Sequence, residues 1–187
     1  MWSVYLGSVP RVGLPSGSEC NRLDFALNPL QSLIMRGIEF EVVWFDQHLI
    51  EYQVVCSNGS FTGTAKIYSN HDSLQNVANI LSGFPSLATD LREVELGASS
   101  SEMAGGGIHM SFFCVDSVGH AVAFVKLRAD GCEGFSEDQC VSLYVPVEAG
   151  AIDSFVKQAR SIRDTKGAKA YLHMADHTLG WVRKVLA

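Results

Sequence analysis

Ala65-Lys66-Ile67-Tyr68-Ser69-Asn70-His71-Asp72-Ser73-Leu74-Gln75-Asn76-Val77-Ala78-Asn79-Ile80-Leu81 changes its period part-way along. Its first residues close an alternating strand. From Leu74 the apolar positions fall at Leu74, Val77, Ala78 and Leu81, the i, i+3, i+4, i+7 stripe of an amphipathic helix. The change recurs downstream, where Val141-Ser142-Leu143-Tyr144-Val145 runs into Ile152, Phe155, Val156 and Ala159 at the same spacing. Two helices that each need cover, each preceded by a strand, predict an α+β fold.

Upstream of the first helix, Ile38, Phe40, Val42 and Trp44 alternate with Glu39 and Glu41, and Asp46-Gln47-His48 supplies a turn. Ile50, Tyr52, Val54 and Cys56 form the inward side of the returning strand. Asn58-Gly59 then predicts a hairpin, because both residues tolerate positive φ. The third strand spans about 61–68. Ser69 or Asn70 can cap the helix, and Gly83 and Pro85 end it. Beyond it we read strands at 91–96, 108–115, 120–128 and 140–145, and a second helix over 147–162. The expected order is βββα-ββββα, a largely antiparallel sheet with both helices on one face, plus a C-terminal helix.

The flanks read differently. Residues 1–37 lack a sustained period and are expected to form a poorly structured arm, dispensable up to Met35; residues 38–162 form the domain. Residues 163–187 read as a helical tail from about Ala168, with Ala175, Leu179, Val182 and Leu186 on one stripe.

Composition narrows the function classes. No apolar run reaches the roughly 18–20 residues of a membrane helix, and no basic stretch precedes an apolar segment at the N-terminus, so neither a membrane span nor a secretory signal is expected. The five cysteines, Cys20, Cys56, Cys114, Cys132 and Cys140, are odd in number and contain no C-x-x-C. That predicts a reduced, cytoplasmic protein rather than a disulfide framework. The net charge of −6 is uneven: residues 38–162 hold sixteen acidic against six basic side chains, while residues 163–187 hold two against five. An acidic centre repels phosphate backbones, which argues against nucleic acid and suits a basic protein partner.

Candidate chemistry is sparse. Asp46 with His48, and Asp116 with His120, place a carboxylate and an imidazole in hairpin turns. If the halves are related by symmetry, they could meet as an oriented base. Aspartate also favours turns for its backbone hydrogen bonds alone, and no activated nucleophile accompanies either pair. His173 and His177 stand at i, i+4, the spacing at which two imidazoles face one metal, with Asp176 nearby. No Glu follows the first His and no third ligand is evident, so surface histidines are the simpler account. Ala104-Gly105-Gly106-Gly107 precedes a strand rather than opening a helix and has no adjacent Lys or Arg, which favours a mobile loop or hairpin entry over a phosphate loop. No cofactor is expected.

Val43, Phe45, Val55, Phe113, Val122 and Phe124 lie opposite the face assigned to the helices. Apolar side chains there need a cover: the tail, the arm, a partner protein or a second copy.

Phe40-Glu41-Val42-Val43-Trp44, Gly105-Gly106-Gly107-Ile108, Asp116-Ser117-Val118-Gly119-His120-Ala121-Val122 and Val145-Pro146-Val147-Glu148-Ala149 resemble a group of short bacterial α+β proteins. The resemblance covers about residues 38–162 and implies no activity. The expected function is a non-enzymatic protein-binding module, on compositional analogy an immunity-type inhibitor using its acidic surface. The alternative is a small-molecule-binding or hydrolytic protein working at the Asp/His turns.

Overall fold

The computed structural model describes residues 35–98, 105–130, 139–176 and 178–186. Its elements are β1 (Gly37–Phe45), β2 (Ile50–Ser57), β3 (Thr62–Ser69), α1 (Ser73–Leu81), β4 (Leu91–Gly97), β5 (Gly107–Cys114), β6 (Ala121–Arg128), β7 (Cys140–Val147), α2 (Ala149–Ser161), β8 (Lys169–His173) and α3 (Gly180–Leu186). The class is α+β with antiparallel pairing throughout. The expected arm lies outside the described residues up to position 34.

The single sheet is corrected. There are two four-stranded sheets, ordered β3-β2-β1-β8 and β4-β5-β6-β7. Each three-stranded meander leaves the outer edge of its first strand unpaired, and the fourth strand that fills it comes from the other half of the chain. The helical tail is corrected for the same reason. Lys169–His173 is a strand bonded to β1, with Ala170 and Leu172 buried and Lys169 and His173 exposed, a period of two rather than 3.6. Helix follows only at α3, where Val182 is buried.

Regrouped, the order is β1-β2-β3-α1-β4 followed by β5-β6-β7-α2-β8, one unit written twice with its last strand exchanged. The registers agree. Gly37↔Ser57 in β1–β2 has its counterpart in Gly107↔Arg128 in β5–β6, and Ile50↔Ser69 in β2–β3 in Ala121↔Val147 in β6–β7. Ile38↔Leu172, across the exchanged strand, matches Ile108↔Leu96.

Both helical stripes are buried as their spacing predicts, and with the inward residues of both sheets they make one core. Phe155 of α2 meets Phe40 of β1 at 6.0 Å between ring centres. Burying each such side chain contributes roughly 1.5–3 kcal/mol. Both helices end on an arginine. Arg92 Nη1 donates to the carbonyls of Ile80 (2.6 Å) and Ser82 (2.8 Å), and Arg163 Nη1 to those of Arg160 and Ile162 (both 2.8 Å). α1 starts later than its candidate caps: Asp72 is the N-cap residue, and Ser69 instead donates its hydroxyl to that of Ser73 (2.7 Å).

Two local departures matter. A register shift between Val42 and Trp44 turns Trp44 out of the core, leaving it 45 % exposed where strict alternation would bury it. β7 runs past the expected end at 145 and takes in Pro146. β7 is an edge strand, and the Pro146 carbonyl accepts from Ala175 N–H (2.8 Å) on the outer side, so the missing N–H costs the ladder nothing.

The glycine run before β5 serves packing. Gly106 N–H donates to the Lys66 carbonyl (2.9 Å), joining β3 to the second sheet. A Cβ on Gly106 would lie 2.5 Å from the Arg128 carbonyl oxygen and 2.8 Å from that of Lys66. Nearby, a Cβ on Gly63 would overlap Val141 Cγ1, so β3 and β7 approach only because one of them carries no side chain there.

Candidate functional site

The Asp/His turns do turn chemistry. Asp46 Oδ1 accepts from the amides of His48 (2.7 Å) and Leu49 (2.9 Å), and these bonds hold its carboxyl below the usual range. Asp116 Oδ1 accepts from the amides of Val118 and His120 (both 3.1 Å), while Oδ2 lies 2.5 Å from His120 Nδ1. The imidazole contact is the main cause of the lowered Asp116 pKa, followed by the backbone bonds. The His120 ring stacks on Trp181 of α3, with centres 4.5 Å apart. The two turns close hairpins in different sheets, and among the described residues no hydrogen bond, ion pair or ring contact joins them.

The six apolar candidates do not share one face. Val43, Phe45 and Val55 belong to the first sheet, Phe113, Val122 and Phe124 to the second. Val122 is fully buried, and of the other five only Phe45 counts as exposed. α3 packs against β7 with Val182 buried, so the tail supplies part of the cover for the second sheet. The first sheet's outer face is polar instead: Lys169 Nζ lies 3.0 Å from both Glu39 and Glu41, which raise its pKa. Exposed apolar side chains gather elsewhere, around the β5–β6 turn. Val118 (77 % exposed) and Leu87 (70 %) line one hollow, Leu91 (60 %) pairs with Phe113, and Val115 (41 %) follows Cys114, whose thiol donates to the Leu87 carbonyl.

His173 stands on β8 with its ring edge-on to Tyr171; His177 lies outside the described residues. No group of three metal-ligating side chains occurs among the described residues. Cys56 is buried and its thiol is pushed up to about 12 by burial, which makes it inert; Cys20 and Cys132 lie outside the described residues.

One polar cluster had no signal in the sequence. Between α1 and the segment after α2, His71 Nδ1 lies 2.8 Å from Asp164 Oδ1, and Gln75 Nε2 donates to the Ile162 carbonyl (3.0 Å). His71, Asp72, Gln75, Arg160, Arg163 and Asp164 line an open hollow of about 570 Å³. Beneath them Tyr52 is fully buried, and its phenol is pushed up to about 12 by burial and then by Asp164 and Asp72. Among the described residues, the buried side-chain polar atoms without a partner are Tyr52 Oη, His71 Nε2 and Gln75 Oε1. In the other half, the positions in register with Tyr52 and its neighbours are Ala123 between Phe112 and Val145. The fold therefore does not require the polarity. A carboxylate that orients an imidazole is half of a general base, but His71 Nε2 is sealed from solvent; the pair joins the turn before α1 to the segment after α2. His71 and Asp164 are 93 positions apart, and neither carries a local pattern.

Comparison of the chain with protein-family models, curated proteins and solved structures finds no match.

Proposed function

We propose that this protein is a non-enzymatic module that binds another protein through the apolar patch of Leu87, Leu91, Val115 and Val118. The observation that carries the reading is the gathering of four large, exposed apolar side chains around one hairpin turn. Isolated exposed apolar residues are ordinary on a protein surface; a contiguous group is characteristic of interfaces. The excess of acidic side chains in residues 38–162 favours a basic partner, as an immunity-type inhibitor would meet. The Asp46/His48 and Asp116/His120 pairs have no chemical role in this reading, since their carboxylates accept from backbone amides.

The test is a pull-down from the native organism with the unaltered chain and with the double variant Leu87→Asp, Val118→Asp. Both positions are exposed enough for the variant to keep its melting temperature. The expected outcome is a partner retained by the unaltered chain, released by raised salt, and lost in the variant. Retention of that partner by the variant would reject the patch, and affinity indifferent to salt would reject the electrostatic contribution.

A further inference from the structure

The internal repeat exposes a difference between two otherwise equivalent sheet edges. In the first sheet β8 is the edge strand. Met174 N–H donates to the Arg36 carbonyl (3.0 Å), so β8 residues of the opposite parity, Tyr171 among them, turn their backbone groups away from β1. The Tyr171 amide is met there by Gln158 Oε1 of α2 at 3.0 Å. In the second sheet β4 is the equivalent edge. Ala98 N–H donates to the Gly106 carbonyl (2.9 Å), which by the same parity turns the amides and carbonyls of Glu93 and Glu95 outward.

The helix position corresponding to Gln158 is Ile80, as the stripes Leu74, Val77, Ala78, Leu81 and Ile152, Phe155, Val156, Ala159 align. Ile80 is exposed and has no group to offer an amide. Between α1 and β4 lies a groove of about 320 Å³ lined by Ser69, Asn70, Ser73, Asn76 and Ile80 on one side and Glu93–Gly97 on the other. One half thus closes its helix–edge junction with a glutamine; among the described residues, the other leaves it open.

We propose that this groove receives an extended, basic segment of a partner polypeptide, which adds to β4 as a fifth strand. Main-chain bonds to Glu93 and Glu95 supply the affinity, and the alternate side chains are chosen by charge. The Glu93 and Glu95 side chains are exposed beside the edge, and among the described residues no Lys or Arg lines the groove, so cationic residues are favoured. A second copy is disfavoured as occupant, because central antiparallel registers of β4 with itself set glutamate opposite glutamate. None of the four patch residues lines the groove, Leu91 being the first residue of β4 and lying before Glu93, so its test stands whether or not the patch binds a protein.

The probe is a blocked peptide of alternating valine and lysine, compared with its glutamate analogue and its backbone N-methylated analogue. Amide hydrogen exchange is followed at Glu93 and Glu95. The valine–lysine peptide is expected to protect both amides, with each analogue weaker by roughly tenfold or more. Ile80→Gln carries the closed half's solution into the open one. This variant is expected to protect the Glu95 amide without peptide, keep its melting temperature and weaken the peptide by roughly tenfold. The proposal is overturned by absence of binding at millimolar peptide, by binding that leaves both amides unprotected, or by equal affinity for either analogue. Protection of these amides by self-association of the peptide-free protein overturns it in favour of the second copy. Unchanged peptide affinity in an Ile80→Gln variant whose Glu95 amide is protected also overturns it.

Discussion

Tyr52 separates what a side chain contributes by volume from what it costs by polarity. Its ring is fully buried and meets Phe40 edge-on at 6.3 Å, while its hydroxyl has no partner among the described residues. An unpaired buried hydroxyl loses its hydration without return. Tyr52→Phe keeps the ring and removes the deficit, so we expect stability to rise by about 1 kcal/mol. The melting temperature should rise by roughly 2–4 °C in a thermal melt. A lower melting temperature would show that the hydroxyl is bonded in solution. Alternation places Tyr52 on the inward face of its strand, but nothing local indicates that Asp164 and Asp72 stand near its hydroxyl.

The exchanged strand is the element on which the first sheet depends. β8 covers the edge of β1 and brings Ala170 and Leu172 into the core, whereas α3 adds chiefly Val182 and the Trp181 stack on His120. A chain ending at Met174 should therefore unfold cooperatively, with a melting temperature lower by roughly 5 °C. A chain ending at Gly167 should lose its cooperative transition, because an uncovered strand edge also invites aggregation. Equal behaviour of the two truncations in a thermal melt would refute this ranking. The strand was hidden in the sequence because Lys169-Ala170-Tyr171-Leu172-His173 is short and runs on towards Ala175, Leu179 and Val182, whose spacing suits a helix. The pairing demand of β1, more than a hundred positions away, decides the matter.

At the scale of the molecule, exchange of β4 and β8 makes each half incomplete without the other. Residues 35–98 contain β4 without the sheet it joins, and residues 105–187 contain β8 without β1. Expressed separately, these fragments should each lack a cooperative melt. Mixed at equal concentration they should recover one, with the circular dichroism of the intact chain. Independent folding of either fragment would show that strand exchange is not what binds the halves. The long-range pairing also predicts slower folding than the hairpins alone would allow.

Hydrophobic periodicity by itself determined the α+β class, the strand–helix repeat, both helical stripes, and the hairpins at Asn58-Gly59 and at 116–119. These depend on neighbours within a few positions, where side-chain direction follows from local geometry. Only the tertiary structure decided that there are two sheets, that the last strand of each half belongs to the other, and that Gly106 and Gly63 are packing requirements. It also decided that the apolar candidates Val43, Phe45 and Val55 lie on a different sheet from Phe113, Val122 and Phe124. The physical reason is common to all of them. A strand's pattern states which face it buries but not which edge it pairs with, because backbone amides and carbonyls are the same in every residue that could supply a partner.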